Sequence, residues 1–369
     1  MKHAVTGADG FLGWHVRCRA YAQGLECVPI DRDAMADAAD LGQALRGVHA
    51  VVHCAGTNRG TDDEVTAGNL NPARRLAEAI QRAGHPIRVV YANSTQSRDP
   101  SVYGVAKQQA ADILARGSGF SNVVLPNLFG EHGRPHYNSF VATFCHQLAE
   151  GHIPRVVHDK EVPLLHAQDA ARVLIGEASV TGRYVIALDA DAERVTVSRV
   201  LKLLREFDAV YRTGELPDIA NGLRARLFNT YRSFLFPAHY PILTQPRSDE
   251  RGTLVECVRT GSAGGQAFVS TTHPGAVRGE HLHLRKFERF LVVSGEVEIS
   301  LRRLCTDEVI RFRVSGSQPA AIDMPTMWAH KMVNVGDAPA ITFFWANELF
   351  SPDDPDTFAC TVDTLVTVA

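Results

Sequence analysis

The chain has 369 residues, with 38 Lys and Arg against 41 Asp and Glu and a formal net charge of −3, a balance that argues against nucleic acid as a principal partner. Hydrophobic residues at 45% and charged residues at 21% are ordinary for a soluble globular protein, and no apolar run approaches the ~20 residues that span a bilayer. The length exceeds what one core usually holds, so two domains are expected.

Met-Lys-His-Ala-Val-Thr-Gly7 leads directly into a strand without a leader pattern, and a cytoplasmic location is expected. The seven cysteines are scattered, odd in number and lack a C-x-x-C pair, which reads as reduced thiols. Strands are expected at 2–7, 26–31, 49–55, 87–94 and 121–126, and helices at 11–23, 64–83, 103–116 and 138–150. This alternation predicts a parallel α/β sheet of the Rossmann type, doubly wound and covered on both faces. Its first turn, Gly7-Ala-Asp-Gly10-Phe11-Leu12-Gly13, joins a strand to a helix. Such glycines let the backbone approach a pyrophosphate at the helix N-terminus. Strand two ends in Asp31-Arg32; an acid there suits a ribose 2′-hydroxyl and an arginine a 2′-phosphate, leaving NAD or NADP open. Strand three ends in His53-Cys-Ala55-Gly56, small residues that let a dinucleotide lie across the sheet edge.

Strand four delivers Ser94-Thr95, and Tyr103 and Lys107 follow four residues apart, on one face of a helix. An ammonium beside a phenol is expected to lower the phenol's pKa, and the strand-end hydroxyl can hold a carbonyl oxygen. Residues 206–245, with prolines and a short helical run from Leu223 to Phe234, read as a connecting segment, with a boundary at 243/244. Beyond it, short β-branched runs at 253–258, 265–271, 288–294, 296–303, 308–313, 319–323, 329–335 and 339–346 predict an all-β sandwich or barrel over 244–369. Within it, His281-Leu-His283 followed by Glu288, and His330 farther on, bring three imidazoles and a carboxylate toward one divalent cation, most suitably Zn2+.

Residues 1 to about 205 resemble an extended short-chain dehydrogenase/reductase through the glycine loop, His53-Cys-Ala-Gly56, Ser94, Tyr103-x-x-x-Lys107, Leu125-Pro-Asn127-Leu-Phe-Gly130 and Asp169-Ala-Ala171. The resemblance implies Tyr103 as acid/base, Lys107 on the nicotinamide ribose, Ser94 or Thr95 on the carbonyl, and Asn127 beside the cofactor. It also implies that Arg134 and Asn138 hold the diphosphate and sugar of a nucleotide sugar. Gly275, His281, His283, Glu288 and Gly295 match the first cupin motif, and Pro325, His330 and Asn334 the second, with Met327 where glycine is usual. The histidine after Arg278-Gly279 also matches the base of non-metal deoxysugar epimerases, so His281 is claimed by two roles; the metal is preferred. His273, Glu256, Lys286 and Glu348 are then the candidates for acid and base. In this domain order the whole chain resembles the bifunctional capsular-polysaccharide enzymes of the CapF/WbjC type. That resemblance implies a homodimer acting on a UDP-linked 2-acetamido-2,6-dideoxy-4-hexulose, epimerised at C3 in the cupin and reduced at C4 with NADPH (NADH being possible). The product implied is UDP-2-acetamido-2,6-dideoxy-L-talose. The alternative is a reductase whose cupin is a structural or dimerisation module.

Overall fold

The structure, a computed structural model, describes residues 1–117, 119–220, 222–261 and 264–363; the last six residues of the 244–369 segment lie outside the described residues. Two compact units form, one from Met1–Thr143 with His158–Val197, the other from Phe144–Val157 with the chain from Ser198.

The first unit runs β1 (Lys2–Thr6), α1 (Phe11–Ala22), β2 (Glu26–Ile30), α2 (Arg32–Ala36), α3 (Ala38–Ala44), β3 (Ala50–His53), α4 (Asp62–Arg82), β4 (Arg88–Ser94), α5 (Val102–Leu114) and β5 (Phe120–Leu125). It continues with β6 (Asn127–Phe129), the first residues of α6 (Phe140–Ala149), which passes into the second unit at Phe144, then β7 (Glu161–His166), α7 (Ala167–Glu177), β8 (Arg183–Ala187) and β9 (Glu193–Thr196). Six strands pair in parallel in the order β2-β1-β3-β4-β5-β8, and β6, β7 and β9 form a separate small sheet. Period-two alternation sorts the apolar residues into two cores. Ala4, Val51, Val89 and Tyr91 face one helical layer, and Val5, Val52, Val90 and Ala92 face the other. The order reverses direction between β1 and β3, and ligands of open α/β sheets bind at such a switch, beyond the carboxyl ends of the strands. The glycine loop, Ser94 and the end of β3 all lie there.

The second unit comprises α8 (Val197–Tyr211), α9 (Gly222–Leu235) and twelve short strands. These are β10 (Ile242–Leu243), β11 (Arg247–Asp249), β12 (Gly252–Leu254), β13 (Gln266–Thr272), β14 (Val277–Leu282), β15 (Glu288–Ser294), β16 (Glu296–Arg303), β17 (Val309–Ser315), β18 (Ala320–Met324), β19 (Trp328–Asn334), β20 (Ala340–Ala346) and β21 (Phe358–Ala359). They build two five-stranded sheets, β10-β18-β15-β20-β13 and β17-β16-β19-β14-β21, beside the β11–β12 hairpin, an antiparallel cupin-like sandwich. The stretch at 206–245, expected as a connector, is instead packed structure. Tyr211, Phe228 and Tyr231 are fully buried, Phe228 meets Phe287 edge-on at 6.0 Å, and Arg232 stacks over Phe287 at 4.1 Å. Widely spaced aromatics carry that packing, which a search for repeated aliphatics overlooks. By compactness the two units meet in the chain near 197/198.

A buried ion pair ties this helical layer to the sandwich. Arg289 of β15 grips Asp323 of β18 with two bonds, of 2.7 and 2.8 Å, while Tyr211 donates to the same carboxylate at 2.5 Å. Asp323 is wholly buried and Arg289 only 2% exposed.

Candidate active sites

In the first unit the glycine loop is built by close approach. A Cβ on Gly13 would stand 2.1 Å from the carbonyl oxygen of Gly7, so helix and loop can meet only at a glycine. Gly10 is the N-cap of α1 and offers no side-chain cap, leaving the first-turn amides available to an anion. The loop thus fits a dinucleotide pyrophosphate, with Phe11 and Leu12 opening the helix. Asp31 and Arg32 are both exposed at the end of β2, but Asp31 already accepts from Ala34 N–H at 2.8 Å as the N-cap of α2. Ala55 closes the cradle, its N–H donating to Thr6 Oγ1 at 3.3 Å. His53 is fully buried, bonded through Nδ1 to Thr6 Oγ1 at 2.8 Å; burial, with the nearby Lys107, lowers its pKa to about 3, so it is neutral.

The residues expected to be catalytic come together at the end of β4. A 3-10 turn, Thr95–Arg98, follows Ser94, whose hydroxyl accepts from Gln96 N–H at 3.2 Å. Gly104 packs the start of α5 onto this turn, since a Cβ there would lie 2.3 Å from the Gln96 carbonyl oxygen. That approach brings Tyr103 to Ser94. Burial pushes the Tyr103 phenol above its ordinary value and the Ser94 contact opposes the shift. The expected lowering by Lys107 is therefore not what the structure has. Lys107 donates to Ala92 O at 2.7 Å, sits 4.2 Å from the Tyr91 ring centroid, and burial lowers its own pKa to about 7. Its ammonium is spent on a carbonyl and an aromatic face rather than on the phenol.

Arg134 and Asn138 are exposed, and Asn127 turns its amide to Pro163 O at 3.3 Å. Sequence reading gave Tyr137 no role of its own, yet its ring lies 4.9 Å from the Arg134 guanidinium and 6.0 Å from that of Arg59. That reading missed a buried network behind the Asn127–Gly130 turn. Glu131 Oε2 lies 3.0 Å from His166 Nε2, the Glu131 carbonyl 3.1 Å from His15 Nε2, and Gln168 donates to His15 at 3.0 Å. Its members come from three separate stretches of chain, around residues 15, 131 and 166–168, so no local spacing announces them. Burial acts to raise the Glu131 carboxyl, but His166 and His15 outweigh it and bring it to about 2. Because this lies below the 4.5 of an unfolded glutamate, the contribution is complete above pH 4.5 and is lost as pH falls toward 2. Glu131→Gln is expected to cost roughly 3 kcal/mol near neutrality and nothing at the acid limit, as measured by urea unfolding across that range.

In the second unit, four ligand atoms of His281, His283, Glu288 and His330 lie within 4.8 Å of one another. The histidines come from β14, the turn after it and β19, the glutamate from β15 of the facing sheet. Register between β14 and β19 shifts at Gly279/His281, with Glu280 at φ 58°, and this bulge aims His281 inward. His283 Nε2 and His330 Nε2 are buried without hydrogen-bond partners, and His283 Nε2 lies 3.1 Å from Glu288 Oε2 without the alignment of a hydrogen bond. Burial acts to raise the Glu288 carboxyl, yet the three histidines hold it well below the usual carboxylate range. Orphaned imidazole nitrogens around a carboxylate fit a divalent cation, and the donor set suits zinc. Met327, where glycine is usual, does adopt the left-handed conformation, at φ 63°, and its N–H donates to His283 O at 2.6 Å. Asn334 is used structurally, bonding Thr272 O and Ala338 O at 2.8 Å each. Of the four candidates for acid and base, Lys286 stands against the ligands, its Nζ 3.6 Å from Glu288 Oε1. Glu348 pairs with Arg285 at 3.3 Å, and Glu256 and His273 are exposed.

A glycine-loop α/β unit with a Ser-Tyr-Lys set, followed by a cupin-like sandwich, defines a dehydrogenase/reductase joined to a second β module. The profile of the NAD dependent epimerase/dehydratase family matches residues 3–179, and that of the polysaccharide biosynthesis C-terminal domain residues 247–358. A UDP-2-acetamido-2,6-beta-L-arabino-hexul-4-ose reductase of Pseudomonas aeruginosa is 32% identical over 98% of this chain and 99% of its own. The spore coat polysaccharide biosynthesis protein SpsL of Bacillus subtilis is 25% identical over 30% of this chain and 78% of its own. The crystal structure of the capsular polysaccharide assembling protein CapF from Staphylococcus aureus covers 98% of this chain and 100% of its own, at 28% identity and a TM-score of 0.60. The chain belongs to the CapF-type family of bifunctional nucleotide-sugar enzymes. Among the described residues no helix is long and apolar enough to cross a membrane.

Proposed function

We propose that the chain converts a UDP-linked 2-acetamido-2,6-dideoxy-4-hexulose into UDP-2-acetamido-2,6-dideoxy-L-talose, by C3 epimerisation at the cupin centre and C4 reduction with NADPH in the first unit. The observation that carries this reading is that one chain holds both a Ser94–Tyr103–Lys107 set at a dinucleotide cradle and a buried three-histidine, one-glutamate quartet. When bound, the nicotinamide supplies hydride and the divalent cation supplies Lewis acidity toward a carbonyl. A 4-ketone acidifies the neighbouring C3–H, and Lys286, beside Glu288, is the residue best situated to exchange that proton. In the reduction, Tyr103 donates its phenolic proton to the C4 oxygen and Ser94 hydrogen-bonds that oxygen. A phenol kept protonated by burial suits the role of donor. Lys107 lies one helical turn on, for the nicotinamide ribose.

Asp31 is engaged as a helix cap, whereas Arg32 is exposed beside it, which favours the 2′-phosphate of NADPH over the free hydroxyl of NADH. Arg134, Arg59 and Tyr137 form a cationic and aromatic patch suited to a nucleoside diphosphate, with Asn138 toward the sugar. A homodimer through the cupin strands is supported by β13, a sheet-edge strand that leaves Phe268 and Val269 43% and 63% exposed. Incubating the protein with the UDP-4-hexulose and either nicotinamide, and assigning product stereochemistry by NMR, tests this function. The talo product, formed with NADPH in preference to NADH, is expected; reduction without inversion at C3 would leave the cupin as a structural module.

A further inference from the structure

We propose that Asp356 is a positioning residue of the cupin centre, fixing the ring of His283 from a segment that carries none of the four ligands. This rests on reading the quartet as a metal centre. Asp356 lies 73 residues after His283 in the chain, just before β21, and is 3% exposed. Its backbone carbonyl meets His283 Nδ1 at 2.6 Å. A carbonyl can only accept, so Nδ1 must carry the proton and Nε2 is left as the bare nitrogen facing Glu288. The Asp356 carboxylate then pins the turn that follows His283. Oδ1 accepts from Leu284 N–H at 3.2 Å, and Oδ2 accepts from Arg285 and Lys286 N–H at 2.9 and 2.7 Å. Three successive amides thus end on one side chain, whose own carbonyl sets the tautomer of the ligand before them.

The rest of the C-terminal segment reinforces this grip. Cys360 N–H donates to Glu280 O at 2.8 Å, β21 pairs with β14 at Ala359 and His281, and the buried Arg302 donates to the carbonyls of Thr361 and Val362 at 2.7 and 3.0 Å. Asp356 also has φ 43°, a left-handed conformation that Asp and Asn tolerate better than other side chains. Ring orientation and tautomer of an imidazole ligand both bear on affinity, and losing such a partner ordinarily weakens metal binding by ~10–100-fold.

The test uses the full-length protein stripped with a chelator. Zinc affinity is measured by competition with a chromophoric chelator, and coordination by the visible spectrum of the Co(II)-loaded protein. Asp356→Ala is expected to bind zinc ~10–100-fold more weakly than wild type and to shift the cobalt bands. Asp356→Asn, which keeps the backbone preference and one acceptor oxygen, should fall between, and it decides the matter if the alanine variant fails to fold. Asp354→Ala, which removes an exposed partner of Arg285 in the same segment, should keep wild-type affinity and spectrum. Wild-type affinity and cobalt bands in both Asp356 variants would overturn the proposal, as would an equal loss in Asp354→Ala. A wild-type protein that binds neither zinc nor cobalt would instead overturn the metal centre itself, and the proposal with it.

Discussion

Tyr103→Phe is expected to lower ketone reduction by ~10²–10⁴-fold, the usual worth of a general acid, while leaving proton exchange at C3 intact. The phenylalanine keeps the ring and removes only the oxygen that faces Ser94. NADPH oxidation, followed by its absorbance, reports the first effect; deuterium incorporation at C3 in deuterated water reports the second. The two effects are expected to separate because Tyr103 and the quartet lie in different compact units of the chain. Loss of C3 exchange together with reduction would defeat the assignment of epimerisation to the cupin. Retention of rapid reduction would remove Tyr103 from the chemistry.

The largest effect on stability is expected at Asp323. Asp323→Ala leaves the Arg289 guanidinium, 2% exposed, with the Gly214 carbonyl but no carboxylate, and breaking such a buried pair costs ~3–5 kcal/mol. Tyr211 loses the carboxylate in the same step and keeps only the Tyr240 hydroxyl, at 2.5 Å. Native-state hydrogen exchange of the β15 and β18 amides should accelerate by roughly 10²–10³-fold or more, a factor of ten for each ~1.4 kcal/mol. Adding Arg289→Met should restore much of the protection, because the penalty lies in the unpaired charge. Equal protection in the single and double variants would show that the pair itself, and not the stranded cation, had carried the stability.

Strands and helices at the start of the chain were legible because a sheet buried on both faces demands near-continuous apolar runs, as in Val89-Val90-Tyr91 of β4. The glycine loop was legible because its chemistry is local. The histidine and glutamate quartet was legible in part: His281, His283 and Glu288 fall within one short stretch, and His330 follows at the spacing of a second motif. Sequence by itself determined which residue types stand at these positions and the order of the two kinds of fold.

Only tertiary structure decided what each of those residues touches. Lys107 turns to Ala92 O, and Asp31 caps a helix. The aromatics of α8 and α9 pack with the β unit, because three-dimensional shape, rather than a repeated apolar pattern, makes Phe228 meet Phe287. Glu131 finds His15 and His166, and Asp356 finds His283, across 116, 35 and 73 residues respectively. Hydrogen bonds between such distant residues are selected by distance and angle in the folded state, and periodicity along a chain carries no record of them.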